Sequence, residues 1–255
     1  MDFICVSVRV PKCGSSSLSR ILAQAFAGRR TFFMYDTFNP DTAMSALQRL
    51  RFRRSQARNL FRRYRTGDAH KVFEIISREA ANGDLIGGGH IDFQSVRANV
   101  KRPLKMVTLL RDPAARSLSE YNYARQSYAN RNIFNRWDTG VMPKVAGARD
   151  FGGFLDFLFE HREAYGNLAS RYVGWNGAED LAGYFSRNVF HCGVLEESER
   201  FAAGLSEKMG KRLEFPHQNR LQREAAAEIT RAQRSKIEQI YPLDFTLYEW
   251  VRERI

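Results

Sequence analysis

A lysine, a glycine and three serines come close together near the start of the chain, in the run Pro11-Lys12-Cys13-Gly14-Ser15-Ser16-Ser17. An apolar stretch rich in Val precedes this run, and Leu18, Ile21 and Phe26 follow it with helical spacing, so we expect a strand, a tight loop and a helix. Backbone N–H groups at a helix start attract anions, Lys12 adds a cation, and serine hydroxyls can donate to phosphate or sulfate oxygens. The run predicts an anion site. Composition alone leaves open a structural turn with a serine N-cap.

The order of residues in this run differs from that of the nucleotide-binding P-loop. In the P-loop pattern GxxxxGK[ST] the lysine comes directly before the hydroxyl residue, whereas Lys12 precedes Gly14 here. This order disfavours a nucleotide-dependent kinase.

Arg111 is a second candidate for anion binding. It ends an apolar run at residues 104–110, which predicts a buried strand, and Asp112-Pro113 then opens a helix. A guanidinium can hold a phosphate through two parallel hydrogen bonds, and Ser119, in the following helix, could fold back toward the same group. The alternative is a plain turn in which Arg116 and Glu120 pair at helical spacing.

His90 is the candidate for proton transfer. It follows the apolar Leu85-Ile86 and a run of glycines at 87–89, so we expect it at the exit of a strand. An unperturbed imidazole titrates near pKa ~6.5 and can accept a proton from a hydroxyl at neutral pH. A structural hydrogen-bonding role is the alternative, and Asp92 and Glu74 are the alternative carboxylate bases.

Strand and helix patterns alternate along the chain, with a further candidate strand at residues 189–195. This order predicts a single α/β domain, residues 1–255, in which helices flank a central, mostly parallel sheet. Parallel sheets bind ligands beyond the carboxyl ends of their strands, so the loops at Lys12, His90 and Arg111 should share one edge. Residues 130–149, with Gly140, Pro143 and Gly147, predict a long irregular loop of the kind that often covers a substrate.

Charge and cysteine content limit the classes of function. The chain has 40 Lys and Arg against 28 Asp and Glu, so its net charge of +12 favours anionic ligands of some kind. Much of the excess lies at residues 49–65, which predict a basic amphipathic helix. Cys5, Cys13 and Cys192 lack metal-ligand spacing, and no apolar stretch is long enough to span a membrane. We therefore predict a cytoplasmic protein without a metal site.

These motifs together resemble the sulfotransferases that use 3′-phosphoadenosine 5′-phosphosulfate (PAPS), and weaker matches extend the resemblance to residues 193–197, 217–220 and 243–248. The resemblance implies a P-loop-like sulfotransferase fold, PAPS as co-substrate, adenosine 3′,5′-bisphosphate (PAP) as product and no metal requirement. It also implies the residues that bind the nucleotide, which are Lys12, Cys13, Gly14, Ser15, Ser16, Ser17, Leu18, Arg111, Ser119 and Arg220.

The segment Gly89-His90-Ile91-Asp92-Phe93 is similar to the heparan sulfate 2-O- and 6-O-sulfotransferases, in which a histidine after the second strand is the catalytic base. This similarity implies His90 as the catalytic base and a carbohydrate hydroxyl as acceptor. By analogy with phosphoryl transfer, Lys12 is expected to be the second catalytic residue, which stabilises the departing 5′-phosphate. The resembling animal enzymes are membrane-anchored and lumenal, and because this sequence departs from them we expect a bacterial, cytoplasmic type of enzyme. The similarity does not identify the acceptor itself.

Two other classes of function remain as alternatives. A protein that binds nucleic acid or another polyanion without catalysis would use the basic, aromatic-containing segment 49–65. A kinase would need a metal-binding aspartate and ATP. The sulfotransferase prediction expects no nucleic-acid partner.

Overall fold

A computed structural model describes residues 1–34, 69–130, 140–216 and 229–254. The predicted basic helix at 49–65 and the predicted ligand Arg220 lie outside the described residues. Within them is one sheet of five strands, β1 (Ile4–Val8), β2 (Thr31–Met34), β3 (Leu85–Gly88), β4 (Leu104–Leu110) and β5 (Val189–Val194). Every pairing is parallel and the order is β2-β3-β1-β4-β5, which confirms the predicted parallel α/β sheet.

The helices within these ranges connect the strands or extend the fold beyond the sheet. They are α1 (Ser15–Ala25), α2 (Ala69–Glu79), α3 (Phe93–Asn99), α4 (Pro113–Ala129), α5 (Val141–Ala148), α6 (Phe151–Glu160), α7 (Arg162–Tyr165), α8 (Leu168–Val173), α9 (Leu181–Asn188), α10 (Ser198–Met209), α11 (Arg231–Ile240) and α12 (Pro242–Arg254). A 3₁₀ turn, Leu195–Glu197, follows β5. None of these helices is both long and apolar enough to cross a bilayer.

Both faces of the sheet are buried, which explains why its strands read as continuous apolar runs. In β1, Ile4, Val6 and Val8 belong to the core on one face, where α2, α3, α8, α9 and α12 pack. Cys5 belongs to the core on the other face, together with residues of α1 and α10. The chain therefore covers the sheet with helices on both sides, as the alternation of strands and helices predicts.

A third core lies beside the sheet and consists of helices. Buried side chains of α4, α5, α6 and α11 pack together there, among them Tyr121, Phe154 and Ile237. Because α4 begins directly after β4, this helical layer is joined to the carboxyl edge of the sheet. The buried face of α4 packs in this helical layer.

The predicted irregular loop at 130–149 is wrong in its second half, because Val141–Ala148 forms α5. Pro143 lies in the first turn of α5, where the N–H that proline lacks has no helical partner in any case. Gly147 faces α4 closely, and a Cβ there would lie 2.2 Å from Cδ1 of Tyr128. The proline and glycine therefore serve helix initiation and helix packing rather than chain irregularity.

Candidate active site

The loop between β1 and α1 leaves the start of the helix open to an anion. Gly14 is the N-cap in the left-handed region at φ 71°, and no side chain caps the helix there. A Cβ at Gly14 would lie 2.7 Å from Leu195 Cδ1, so space as well as φ favours glycine. The first backbone bond of the helix runs from Leu18 N–H to Gly14 O. The alternative of a serine N-cap is wrong, and the N–H groups of residues 15–17 precede the intrahelical bonds.

The side chains of the predicted anion loop divide between the cavity and the core. Ser15 and Ser16 line the cavity, as does Ser17, whose hydroxyl donates to Pro216 O at 2.9 Å. Cys13 and Leu18 are each 1% exposed and pack in the two cores of the sheet. Burial raises the pKa of the Cys13 thiol to about 12, so this thiol stays protonated at neutral pH.

Lys12 is held at its backbone and at its ammonium group. Its φ of 64° is uncommon for a residue with a side chain, and its carbonyl accepts a hydrogen bond from Arg111 Nη1 at 3.2 Å. Its Nζ lies 3.9 Å from the centroid of the Tyr123 ring. Burial lowers the pKa of Lys12, Glu120 opposes that shift, and Arg111 adds to it.

The Arg111 segment combines a turn with a position at the cavity. Asp112 caps α4 by accepting from Ala115 N–H at 2.8 Å, and Arg116 pairs with Glu120 at 3.3 Å. The structural alternative from the sequence is therefore correct for these two contacts. Arg111 and Ser119 nevertheless both line the same cavity as the β1–α1 loop, so the turn also places these two residues at the cavity.

His90 lies just beyond the end of β3 and also lines this cavity. Its Nδ1 is 2.7 Å from Arg9 O. Because a carbonyl oxygen only accepts, Nδ1 carries the proton, and the basic nitrogen of the neutral ring is Nε2. This tautomer suits a group that accepts a proton from a substrate through Nε2.

The two carboxylate alternatives to His90 lie elsewhere. Asp92 is 8% exposed and caps α3, where its Oδ1 accepts from Ser95 N–H at 2.7 Å. Glu74 lies in α2 and lines a separate recess with Phe73, Ser77 and Asn99. Neither residue lines the cavity that contains His90.

One cavity of about 1020 Å³ is lined by predicted site residues from three chain segments, although Cys13 and Leu18 are not among its lining residues. It lies at the carboxyl edge of β1, β3 and β4, which are neighbours in the sheet. Its lining comprises Arg9, Pro11, Lys12, Gly14, Ser15, Ser16, Ser17, His90, Arg111, Ser119, Glu120, Tyr123, Ala124, Gln126, Met142, Pro143, Leu195, Glu196, Ser198, Phe215 and Pro216. The expectation that the three loops share one edge is confirmed.

Sequence reasoning missed several lining residues, of which Tyr123, Glu120 and Glu196 are the most informative. Tyr123 lies four residues after Ser119 in α4, so helical spacing from Ser119 could have identified it. Glu196 accepts a hydrogen bond from Asp112 N–H at 3.2 Å. Burial raises the pKa of Glu196, although this hydrogen bond acts in the opposite direction. The resemblance at residues 193–197 includes Glu196 but implied no role for it, because its place at the cavity depends on how β5 lies beside β4.

Among the described residues, no cluster of three or more histidine, cysteine, aspartate or glutamate side chains could hold a metal ion.

Comparison with known proteins identifies the family. The profile described as the sulfotransferase family matches residues 5–251, nearly the whole chain, so this chain belongs to the sulfotransferase family. The predicted family is thereby confirmed.

Among solved structures, mouse sulfotransferase SULT7A1 complexed with PAP is similar, with 14% identity and a TM-score of 0.46. The match covers 94% of this chain and 65% of the mouse protein, so the chain spans about two thirds of that protein's length. No protein with a curated description matches the sequence significantly.

Proposed function

We propose that this chain, acting as one domain of residues 1–255, transfers a sulfuryl group from PAPS to a carbohydrate hydroxyl in the cytoplasm. The acceptor oxygen attacks sulfur and forms the new O–S bond, while the bond from sulfur to the bridging oxygen of PAPS breaks. The acceptor proton passes to the enzyme, and PAP leaves with the bridging oxygen. Membership of the sulfotransferase family supports the class of reaction.

The observation that carries the proposal is the composition of the cavity. One cavity contains the start of α1, which has no side-chain cap, and four side chains from separate parts of the chain, Lys12, His90, Arg111 and Ser119. Two anion-binding elements in one cavity suit a ligand with phosphates at two positions, such as PAPS. The cavity volume, about 1020 Å³, is slightly above the ~300–1,000 Å³ typical of small-ligand sites, which leaves room for an acceptor beside the nucleotide.

In this proposal the N–H groups of residues 15–17 and Lys12 hold the 5′-phosphosulfate. Donors aimed at the bridging oxygen stabilise the charge that develops there as the bond to sulfur breaks. Cys13 and Leu18 act from the core by fixing the loop. Arg111 and Ser119 bind the 3′-phosphate, and the motif implies Arg220 as a further nucleotide ligand.

His90 is the general base of the proposed reaction. Its Nδ1 donates to Arg9 O, which fixes the ring and leaves Nε2 as the nitrogen that takes the acceptor proton. Asp92 is engaged as a helix cap, and Glu74 lines a different recess. Both observations support His90 over the two carboxylates.

The carbohydrate acceptor and the cytoplasmic location each have a separate line of support. The acceptor follows from the similarity of residues 89–93 to the carbohydrate-modifying branch. The location is supported by Cys5, Cys13 and Cys192, all buried and free, as is usual in a reducing compartment.

Calorimetry with four ligands tests the proposal. PAP should bind at least tenfold more tightly than AMP, and ATP and a single-stranded oligonucleotide should bind more weakly than PAP. Equal affinity for PAP and AMP would contradict a 3′-phosphate site. Tighter binding of the oligonucleotide would favour the polyanion-binding alternative, and tighter binding of ATP would favour the kinase.

A further inference from the structure

Tyr123 is an exposed aromatic residue at the edge of the cavity. It is 61% exposed, whereas Tyr121 and Ala124, its near neighbours in α4, are 5% and 4% exposed and pack in the helical core. Burial in that core therefore does not explain an aromatic residue at position 123. Its ring lines the cavity instead.

The Tyr123 ring lies against the ammonium group of Lys12. The distance from Lys12 Nζ to the ring centroid is 3.9 Å, the shortest of the cation–ring contacts in the described parts of the chain. The face of an aromatic ring carries negative electrostatic potential and attracts a cation placed over it. The contact joins the loop after β1 to α4.

Lys12 is thus fixed at both ends by one stretch of chain. Arg111, at the end of β4, donates to its carbonyl at 3.2 Å, and Tyr123, in the helix that follows, meets its ammonium. A lysine side chain is a flexible four-carbon stem that samples many rotamers. Holding both ends restricts Nζ to a small region at the cavity.

We propose that Tyr123 is a positioning residue for sulfuryl transfer, whose ring holds the Lys12 ammonium at the site where the phosphosulfate reacts. The inference rests on the proposed function, because it requires Lys12 to act on the phosphosulfate. Tyr123 acts through Lys12, so its loss lowers the rate of the chemical step more than the affinity for the nucleotide. Pre-placing a charged group removes an ordering cost from the transition state.

The charge state of Lys12 gives the ring a second role. Burial lowers the pKa of Lys12 and Arg111 adds to this, while Glu120 favours the charged form. Glu120 is itself paired with the buried Arg116 at 3.3 Å. The ring face also favours the ammonium over the neutral amine, so positions 120 and 123 of α4 both keep Lys12 positive.

The test compares Tyr123→Leu with Tyr123→Phe, which keeps the ring, and with Asn122→Leu, a matched control at an exposed neighbouring position. Cation–ring attraction corresponds to rate effects of about twofold to thirtyfold, and we expect about tenfold here because Lys12 is partly buried. Tyr123→Leu should slow single-turnover transfer from PAPS by about tenfold, with PAP affinity within about twofold of the unmodified protein. Tyr123→Phe and Asn122→Leu should transfer at nearly the unmodified rate. Undiminished transfer by Tyr123→Leu, or equal loss in Tyr123→Phe, overturns the inference.

A double substitution separates this inference from the proposed function. If Tyr123 acts through Lys12, adding Tyr123→Leu to Lys12→Ala should slow transfer no further than Lys12→Ala alone. A further tenfold loss in the double variant overturns the role of Tyr123 while leaving that of Lys12 intact. Normal transfer by Lys12→Ala would instead overturn the role proposed for Lys12, and with it this inference.

A measurement without turnover gives independent support. Amine-selective labelling needs the neutral amine, so the rate of Lys12 modification, followed by mass spectrometry at neutral pH, should rise in Tyr123→Leu. It should stay unchanged in Tyr123→Phe. Equal labelling rates in all three proteins would contradict the contact.

Discussion

Lys12 is held in place by residues that are far from it in sequence. Its backbone is in the left-handed region, its carbonyl binds Arg111, and its ammonium meets Tyr123. A backbone conformation that is unfavourable for a side-chain-bearing residue persists only where the surroundings hold it. Here those surroundings are the end of β4 and the face of α4, which also carry Arg111 and Ser119.

Replacing Lys12 tests its role in the chemistry. Lys12→Ala should lower the rate of transfer by more than ~100-fold, because it removes a donor to the developing charge on the leaving group. The fold should persist, as checked by thermal unfolding. Lys101→Ala is the control, since Lys101 is an exposed lysine whose Nζ binds Ala98 O. Near-normal turnover of a folded Lys12→Ala protein would show that this loop does not hold the phosphosulfate.

Ser119 offers a cleaner test of the 3′-phosphate site than Arg111 does. Arg111 also supports the Lys12 carbonyl, so Arg111→Ala should disturb both ends of the nucleotide. Ser119→Ala should weaken PAP binding by about tenfold, as expected for a hydrogen bond to a charged group, while AMP binding stays unchanged. Ser127→Ala, eight residues further along the same helix, is the control. Calorimetry in which Ser119→Ala binds PAP as the unmodified protein does would refute the assignment.

His191 should make stability depend on pH. Burial lowers its pKa to about 4, Lys208 acts in the same direction, and the bond to Phe201 O opposes the shift. The unfolded chain therefore binds a proton below pH ~6.5 that the folded protein takes up only near pH 4, so stability falls as the pH drops through this window.

The predicted loss due to His191 is about 2 kcal/mol between pH 7 and pH 5, at roughly 1.4 kcal/mol per unit below pH ~6.5. Urea unfolding at the two pH values measures it. His191→Gln lacks the titrating group and should lose about 2 kcal/mol less than the unmodified protein over the same interval. An equal loss in both proteins would mean that other groups cause the dependence.

At the scale of elements, the sequence predicted best where the pattern is local. The apolar run before Arg111 gave the bounds of β4 directly, and the run from Val189 gave β5 to within one residue at its end. Helix α5 was missed because Pro143 and Gly147 break helices on average. Pro143 is accepted here because it lies in the first turn, and Gly147 is required because Tyr128 packs against it. Neither fact can be read from the local sequence pattern.

The candidate site divides in the same way. Lys12, Gly14, Arg111 and His90 could be identified because motifs at strand ends mark them. The spacing from Ser119 marks the place of Tyr123 on α4, but the contact of Tyr123 with Lys12 depends on the approach of α4 to the first loop. The position of Glu196 at the cavity also depends on how β5 lies beside β4. The order of the strands is likewise a property of the packed sheet rather than of any one segment.

Asp244 links three helices near the site. It lies in α12 and is 1% exposed. Its carboxylate accepts hydrogen bonds from the N–H groups of Ala169 and Ser170, at the start of α8, at 3.0 and 2.8 Å. The same carboxylate lies 3.5 Å from the guanidinium of Arg116 in α4. Arg116 is equally buried and also stacks over the Tyr241 ring. The position of α4, and with it Ser119 and Tyr123, therefore depends on a buried ionic group.

Removing Asp244 should be costly. Asp244→Ala leaves two amides unpaired and deprives a buried guanidinium of an acidic neighbour, so we expect a loss of about 3–5 kcal/mol in the free energy of unfolding. Asp156→Ala, which breaks the exposed pair with Lys236, should cost less than about 1 kcal/mol. Chemical denaturation measures both. A loss below 1 kcal/mol for Asp244→Ala would show that the buried group does not hold these helices.

At the scale of the whole molecule, the site follows from the way the sheet is wound. The chain leaves β1 toward β2 at one edge, returns to β3 beside β1, and then crosses to β4 and β5 on the other side. Helix α1 lies on one face of the sheet and α3 on the other. Loops that leave neighbouring strands toward opposite faces open a crevice between them, and ligands bind there in open α/β sheets.

The most direct test of sulfuryl transfer in this crevice is a single-turnover assay with labelled PAPS and a panel of glycans, run with the unmodified protein, His90→Ala and His161→Ala. His161 is an exposed histidine at the end of α6 and serves as the matched control. The unmodified protein and His161→Ala should transfer label to at least one glycan. His90→Ala should transfer it ~100-fold to ~10,000-fold more slowly, while its affinity for PAP stays within a few-fold of that of the unmodified protein. Transfer by His90→Ala at an undiminished rate would place the base elsewhere, and absence of transfer to every glycan by the unmodified protein would contradict the proposed carbohydrate acceptor.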